Sequence, residues 1–359
     1  MTDDGPRRTA GPGSGPGGAP TAIALSPILS ARYRARDLEL IRAAAPGARI
    51  VTLSREGLTD EPVDDVEVLL RGWLSSDAFD RLLARAPRLN YVHSASAGVE
   101  RALTPAARER GIVITNARGV FSRPIAEYVL MMILAISRRL PGLLELQRER
   151  TWQPLEGVEL RDVTVGIVGL GSIGRAVGAL ATAFGCRVVA VRRRAEAGSA
   201  SRITVGPDDD GTRSFGEAML DRVGGPETLP ELLGESDFVV LAAPLTPETE
   251  DMIDAVALAA MKSTAWLINI ARGRLIDERA LLDALTDGRI GGAVLDTFRE
   301  EPLPSSSPFY DLPNVIVTPH TSWSSGRVLD RSMELFAENL RRYATGEPLL
   351  NVVDPTAGY

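Results

Sequence analysis

The chain of 359 residues contains one cysteine, Cys186, one lysine, Lys262, and two histidines, His93 and His320. A lone cysteine excludes an intramolecular disulfide and any metal site built from several thiolates, and it suits a reducing compartment, for which we expect the cytoplasm. Cys186 itself reads as a small apolar residue opening a strand. Long hydrophobic runs are missing as well. The longest, Tyr128 to Ile136, spans nine residues, against about 20 for a membrane-spanning helix, so no membrane partner is expected. Nor is there an excess of basic charge: 47 acidic residues outnumber 40 basic ones, for a net charge of −7, which argues against a nucleic-acid partner. Arg7 and Arg8 are followed by Gly and Pro rather than an apolar stretch, so export through a twin-arginine signal is not expected.

What is present is 44% hydrophobic and 24% charged residues, a globular composition on a chain long enough for two domains of roughly 150 residues each. Residues 1–20 include six Gly and four Pro; with so little apolar surface to offset the entropy of ordering, they are expected to form a disordered tail. From residue 21 onward β-rich runs alternate with helical stretches, the pattern of an α/β protein with parallel sheets and crossover helices. A first series of strands is expected at 21–26, 49–54, 66–71, 89–94 and 112–116, with helices at 31–45 and 77–86. One long helix is expected over 123–150, apolar on all sides in its middle and so buried between domains or between subunits. A second series starts at Val163, with strands near 187–192, 238–242, 266–269, 293–296 and 315–318, a last helix at about 326–345 and an extended return at 349–353. The stretch 195–226 reads as an insertion, either a flap over a ligand or a solvated surface excursion.

Val163 to Val168 reads as a buried strand and leads directly into Gly169-Leu170-Gly171-Ser172-Ile173-Gly174 and then the helical Arg175 to Phe184. Strand, glycine-rich turn and helix in that order form a dinucleotide fingerprint. Gly169 permits the tight turn, Gly171 lets a pyrophosphate approach the backbone, and Gly174 lets helix and strand pack closely. The helix N-terminus, at Ser172 and Ile173, adds N–H donors and positive potential. A site for NAD usually ends its second strand in Asp or Glu, which accepts from the ribose hydroxyls. Here the second strand ends in Arg192-Arg193-Arg194. Arg192 and Arg193 suit the 2′-phosphate of NADP, so NADP(H) is the expected cofactor and NAD(H) the alternative; the same residues also suit a solvated basic turn.

Three further segments carry chemistry: Asn269-Ile270-Ala271-Arg272-Gly273, Leu295-Asp296-Thr297-Phe298-Arg299-Glu300-Glu301-Pro302, and Thr318-Pro319-His320. With Ser96-Ala97-Gly98-Val99 and the glycine turn in the same order, they resemble the D-isomer-specific 2-hydroxyacid dehydrogenase family. The resemblance covers about residues 21–353. It implies a Rossmann nucleotide-binding domain over 123–325 and a flavodoxin-like, doubly wound substrate domain from 21–122 with 326–359, with the active-site cleft between them. The implied reaction is reversible hydride transfer between NAD(P)H and a small 2-oxo acid or D-2-hydroxy acid, with glyoxylate and hydroxypyruvate as first guesses. A homodimer built on the apolar helix is also implied, and no metal. The alternative is a nucleotide-sensing scaffold that kept the fold without the chemistry. A phosphoglycerate dehydrogenase carrying a long regulatory C-terminal domain is not expected, since only a short segment follows His320.

Arg272, Glu301 and His320 match the family's catalytic set. Reducing a 2-oxo acid independently calls for a cation on the carboxylate and developing oxyanion, and for a proton donor to the alcohol oxygen. Arg272 has the planar fork for the first task, and His320, oriented by Glu301, suits the second. The resemblance further assigns the amides of Gly98 and Val99 to the substrate carboxylate, Ala243 and Pro244 to the loop under the nucleotide, and Asp296 to the neighbourhood of the nicotinamide carboxamide. Arg71, with Gly72 and Trp73, stands as a substrate loop, although Trp73 alone could equally be a packing residue. His93 is expected only to line the cleft, Glu127 to have a structural role, and Trp323 to wall the substrate or to pack.

Overall fold

Along the first strand, β1 (Ala22–Leu25), Ala22 and Ala24 join one apolar core while Ile23 and Leu25 join another. Side chains alternate across a strand, so a strand apolar at every position must be covered on both faces, as in a doubly wound parallel sheet. The computed structural model describes residues 17–28, 33–193, 203–205 and 218–355, and divides into two units, Met1–Val120 with Gly326–Tyr359 and Phe121–Ser325. In the first unit, α1 (Ala35–Ala44), β2 (Arg49–Thr52), β3 (Val66–Arg71), α2 (Ser76–Arg85), β4 (Tyr91–Ser94), α3 (Pro105–Glu109) and β5 (Val113–Thr115) follow β1. All five strands are parallel in the order β2-β1-β3-β4-β5, which is the flavodoxin-like order. Phe79 and Leu82 of α2 fill one core. The other is closed by α10 (Val328–Thr345), whose Tyr343 stacks on Tyr91 with ring centroids 5.6 Å apart.

The second unit begins with α4 (Ser122–Ser137) and α5 (Leu140–Arg148). It continues through β6 (Thr164–Val168), α6 (Ser172–Ala183), β7 (Arg187–Val191), the short antiparallel pair β8 (Ile203–Val205) and β9 (Ala218–Leu220), and β10 (Arg222–Gly224). Then come α7 (Leu229–Glu235), β11 (Phe238–Leu241), α8 (Ala255–Ala260), β12 (Trp266–Asn269), α9 (Glu278–Thr286), β13 (Gly292–Leu295) and β14 (Val315–Val317). Seven parallel strands stand in the order β10-β7-β6-β11-β12-β13-β14. The chain winds one way from β6 and the other way from β11, so the topological switch lies at the C-terminal ends of these two strands, where open sheets bind ligands. The two-sheet α/β class expected from the sequence is the class observed.

Several local expectations are corrected. The helix expected over 123–150 is two helices, broken at Arg139, whose backbone is left-handed with φ +59°. Pro141 is the cause: inside a continuous helix it would remove an N–H and clash with the preceding turn, whereas in the first turn of α5 it is tolerated. No residue of α5 is buried, so the burial expected for the long helix holds only for α4. The stretch 195–226 is not wholly an excursion, because β10 pairs in parallel with β7 as the sheet's edge strand. Residues 195–202 and 206–217, with Asp208 to Asp210, lie outside the described residues, as do 1–16 of the expected tail. Pro20 is buried, so ordered chain begins before Thr21. His93 does not line a cleft: it is fully buried, tilted against Phe336 at 5.5 Å. Its Nδ1 lies 2.8 Å from the Thr115 hydroxyl, and burial pushes its pKa down to about 3. No helix among the described residues is long and apolar enough to cross a membrane.

Candidate active site

Gly169 leaves β6 with φ +103°, and a Cβ on it would fall 2.5 Å from the amide nitrogen of Ala243, just beyond β11. The turns after the two switch strands therefore touch at their backbones, which only a glycine allows. A Cβ on Gly174 would come 2.1 Å from the Gly169 carbonyl oxygen, so α6 packs directly on the turn that precedes it. At Gly171, which caps α6, a Cβ would meet nothing within 4 Å. That open side, with the N-terminal amides of α6 behind it, fits the pyrophosphate of a dinucleotide. Pro244 continues the adjoining loop, and its carbonyl accepts from the Thr249 hydroxyl at 2.7 Å.

Arg192 and Arg193 follow β7. The Arg192 amide donates to the Gly224 carbonyl at 3.0 Å, and its Nε is buried without a hydrogen-bond partner. An orphaned donor at the end of the second strand fits the anionic end of a nucleotide. Glu248 is a nearby group that the sequence did not reveal. The Thr246 hydroxyl and the Glu248 amide hold its carboxyl below the usual range, and the charge of Arg193 adds to this. Arg194 lies outside the described residues.

Three neighbouring strands present the candidate catalytic residues at their C-terminal ends. After β12, the buried Asn269 folds the chain about Arg272: its Nδ2 donates to the Arg272 carbonyl at 2.9 Å and its Oδ1 accepts from the Ala271 amide at 3.1 Å. The Arg272 guanidinium donates to the Ala271 carbonyl at 2.7 Å. After β13 comes Glu301, whose Oε1 accepts from the Phe298 amide at 3.1 Å. After β14 comes His320, and its Nδ1 lies 2.8 Å from Oε2 of Glu301. A carboxylate can only accept, so Nδ1 carries the proton and Nε2 is the nitrogen that exchanges one with a ligand. Burial opposes ionisation of Glu301. The bond from His320, the Phe298 amide and the charges of His320 and Arg272 outweigh it and hold the carboxyl below the usual range.

Asp296 follows β13 and is fully buried. Its carboxylate accepts from the Thr318 hydroxyl at 2.6 Å and from the amides of Thr321 and Ser322 at 2.8 and 2.9 Å. A carboxylate has about four acceptor positions, and three of them are taken by the loop around His320. Trp323 donates from its indole nitrogen to the His320 carbonyl at 2.7 Å. Glu127 lies on the exposed side of α4 and pairs with Arg123 at 3.0 Å.

The substrate-binding candidates Arg71, Gly98 and Val99 lie in the first unit, at the C-terminal ends of the neighbouring β3 and β4. Arg71 is buried over the Phe79 ring, and its Nη2 donates to the carbonyls of Leu74 and Arg101 at 2.6 and 2.9 Å. Burial, with the charge of Arg101, lowers its pKa to about 10. Trp73 is 51% exposed, so it is not a core packing residue. The turn holding Gly98 and Val99 is pinned by the Ser96 hydroxyl, which donates to the Gly98 carbonyl at 2.6 Å, and by Asn116, which donates to the Ala97 carbonyl at 2.9 Å.

A dinucleotide turn on one strand pair, and an acid–base pair beside a guanidinium on the next three strands, place the second unit among the nicotinamide-dependent oxidoreductases. The sequence pattern of the D-isomer specific 2-hydroxyacid dehydrogenase NAD binding domain matches residues 130–322. The glyoxylate reductase of Korarchaeum cryptofilum is 33% identical over 328 residues, covering 89% of this chain and 90% of that protein. The D-3-phosphoglycerate dehydrogenase of Mycobacterium tuberculosis is 36% identical over 293 residues, 81% of this chain but only 51% of that one. Among solved structures, the NADPH-dependent glyoxylate/hydroxypyruvate reductase of Sinorhizobium meliloti, in complex with NADP and sulfate, superposes with a TM-score of 0.75 at 26% identity, covering 94% of this chain and all of that one. The chain belongs to the D-isomer-specific 2-hydroxyacid dehydrogenase family, and it is an NAD(P)-dependent enzyme of that class.

Proposed function

We propose that the protein reduces a small 2-oxo acid of the glyoxylate or hydroxypyruvate kind with NADPH, reversibly, and that it works as a homodimer in the cytoplasm. The observation that carries this reading is the His320 to Glu301 bond of 2.8 Å with the charge of Arg272 acting on the same carboxylate. The turn at Gly169, Gly171 and Gly174 with the amides of Ser172 and Ile173 would hold the pyrophosphate. The loop at Ala243 and Pro244 would lie under the nucleotide, Asp296 would accept from the carboxamide, and Arg192 with Arg193 would read the 2′-phosphate. The nicotinamide supplies the hydride when bound.

Arg272 neutralises the substrate carboxylate and the charge growing on the carbonyl oxygen. His320, charged against Glu301, gives the proton on Nε2 to that oxygen, and Glu301 keeps the imidazole in the productive tautomer and orientation. Gly98 and Val99 keep the role of amide donors to the carboxylate on the strength of the family pattern, and Arg71 that of supporting the substrate loop from its place at the C-terminal edge of the sheet. NADPH is supported by the orphaned Nε of Arg192 and by the NADP-bound relative. The cytoplasm is supported by the single buried cysteine. The dimer is supported by the exposed Met131, Leu140, Leu143 and Leu144 of α4 and α5, since adjoining apolar side chains of this kind mark contact surfaces.

The test is steady-state kcat/KM for glyoxylate, hydroxypyruvate, pyruvate, 3-phosphohydroxypyruvate and larger 2-oxo acids with each reduced cofactor. Fastest turnover on a two- or three-carbon unphosphorylated acid supports the reading. Preference for the phosphorylated acid would overturn the substrate, and no turnover on any acid would overturn the reaction.

A further inference from the structure

His320 sits in a loop at φ +50°, a left-handed backbone that a side-chain-bearing residue keeps only where its surroundings impose it. Asp296 imposes it from both sides, since its carboxylate takes the Thr318 hydroxyl before His320 and the Thr321 and Ser322 amides after it. Thr318 has a second partner: the hydroxyl of Tyr128, on α4, lies 2.6 Å from its Oγ1. A threonine hydroxyl has one proton, and Thr318 gives it to a carboxylate that can only accept. The Tyr128 hydroxyl is therefore the donor, and the bonds run in one direction, from Tyr128 to Thr318 to Asp296.

We propose that Tyr128 is a positioning residue for His320, acting through Thr318 and Asp296 to keep the strained loop in place and the imidazole against Glu301. Its effect on turnover rests on the function proposed above; its effect on the loop rests on the hydrogen bonds alone. Burial, opposed by the bond to Thr318 and assisted by the negative charge of Asp296, pushes the phenol pKa up to about 12. The phenol thus keeps its proton at neutral pH. With its proton committed to Thr318, Tyr128 is not a proton source for the substrate.

Tyr128→Phe keeps the ring and removes the donor. Expected are a fall in kcat of about tenfold, the weight of roughly one hydrogen bond, with substrate KM and NAD(P)H affinity within about twofold of wild type. Amide hydrogen exchange at Thr321 and Ser322 should quicken by a similar factor while that at Phe298 does not change. Thr318→Val should show both effects, the double variant should lose no more than Thr318→Val alone, and Thr318→Ser, which keeps the hydroxyl, should restore both. Wild-type kcat and wild-type exchange in Tyr128→Phe would overturn the proposal, as would additive losses in the double variant. If Tyr128→Phe folds poorly, the contrast between Thr318→Val and Thr318→Ser decides in its place. A wild-type protein without turnover on any 2-oxo acid would overturn the proposed function, and exchange at Thr321 and Ser322 would still decide the relay.

Discussion

Gly273 lies so close to Phe298 that a Cβ on it would fall 2.0 Å from the Phe298 carbonyl carbon and 2.3 Å from the next amide nitrogen. The turns after β12 and β13 are thus pressed backbone to backbone, with Arg272 on one side of the contact and Glu301 a few residues along on the other. Ion pairs of Arg299 with Asp251 and of Arg274 with Glu250 tie the same two turns to the loop after β11. These pairs are exposed and contribute little energy, whereas the glycine contact is steric and sets which side chains can meet.

Removing the imidazole should separate chemistry from binding. His320→Ala is expected to lower kcat by roughly 10² to 10⁴, the usual weight of general acid–base catalysis, with cofactor affinity unchanged. Arg272→Lys should lower kcat and raise KM together, because the bidentate fork is lost. Near wild-type turnover in either variant would remove that residue from the site.

The pH behaviour of the pair follows from Glu301. A folded-state pKa below the ordinary one means that the pairing contributes above the usual carboxylate range and is lost as pH falls through the lowered value. Carbon-13 NMR should show the Glu301 carboxyl titrating below the ordinary 4.5. In His320→Ala the midpoint should rise, since burial then meets fewer opposing contributions. A wild-type midpoint at or above the ordinary value would mean that the bond is absent in solution.

Cofactor preference tests the role proposed for Arg192, which follows β7. A charge-assisted hydrogen bond to a phosphate is worth about 1.5 to 3 kcal/mol, so one good contact from Arg192 implies at least a roughly tenfold preference for NADPH in kcat/KM. Arg192→Asp should abolish or reverse it. Wild-type preference for NADH, or a ratio unmoved by the substitution, would show that the arginine reads no phosphate.

Two glycines of the same turn should respond differently. Gly174→Ala forces a Cβ against the Gly169 carbonyl and should lower stability by about 1 to 3 kcal/mol without any cofactor present. Gly171→Ala meets open space and should leave the melting temperature within about 2 °C, while weakening NAD(P)H binding. Equal stability losses in the two variants would contradict the packing described.

Light scattering at micromolar concentration should give twice the mass of the chain, and charge at Leu143 and Leu144 of α5 should halve it. A monomeric wild type would assign the exposed apolar side chains to something other than a second copy.

The alternation of the main strands and helices was legible because β-rich runs and helical stretches differ in local residue pattern and are bounded by their own turn residues. The glycine turn was legible because its three glycines lie within six residues of chain. The break at Arg139 was written in Pro141, a signal outweighed by the apolar run before it. His93 shows the opposite failure. A histidine at a strand end reads as a cleft residue, yet it is buried because α10, far away in sequence, lays Phe336 over it.

The sequence by itself determined the fold class and the nucleotide turn, since residue type and spacing carry both, and its resemblance to the family offered the three residues for catalysis. Only the tertiary structure decided that Asp296 grips the His320 loop, that Glu248 approaches Arg193, and that Tyr128 reaches Thr318. Those are hydrogen bonds and charges between residues that no period relates. They exist because parallel strands deliver the ends of distant segments to one edge of a sheet, and nothing local in the chain records which ends will meet there.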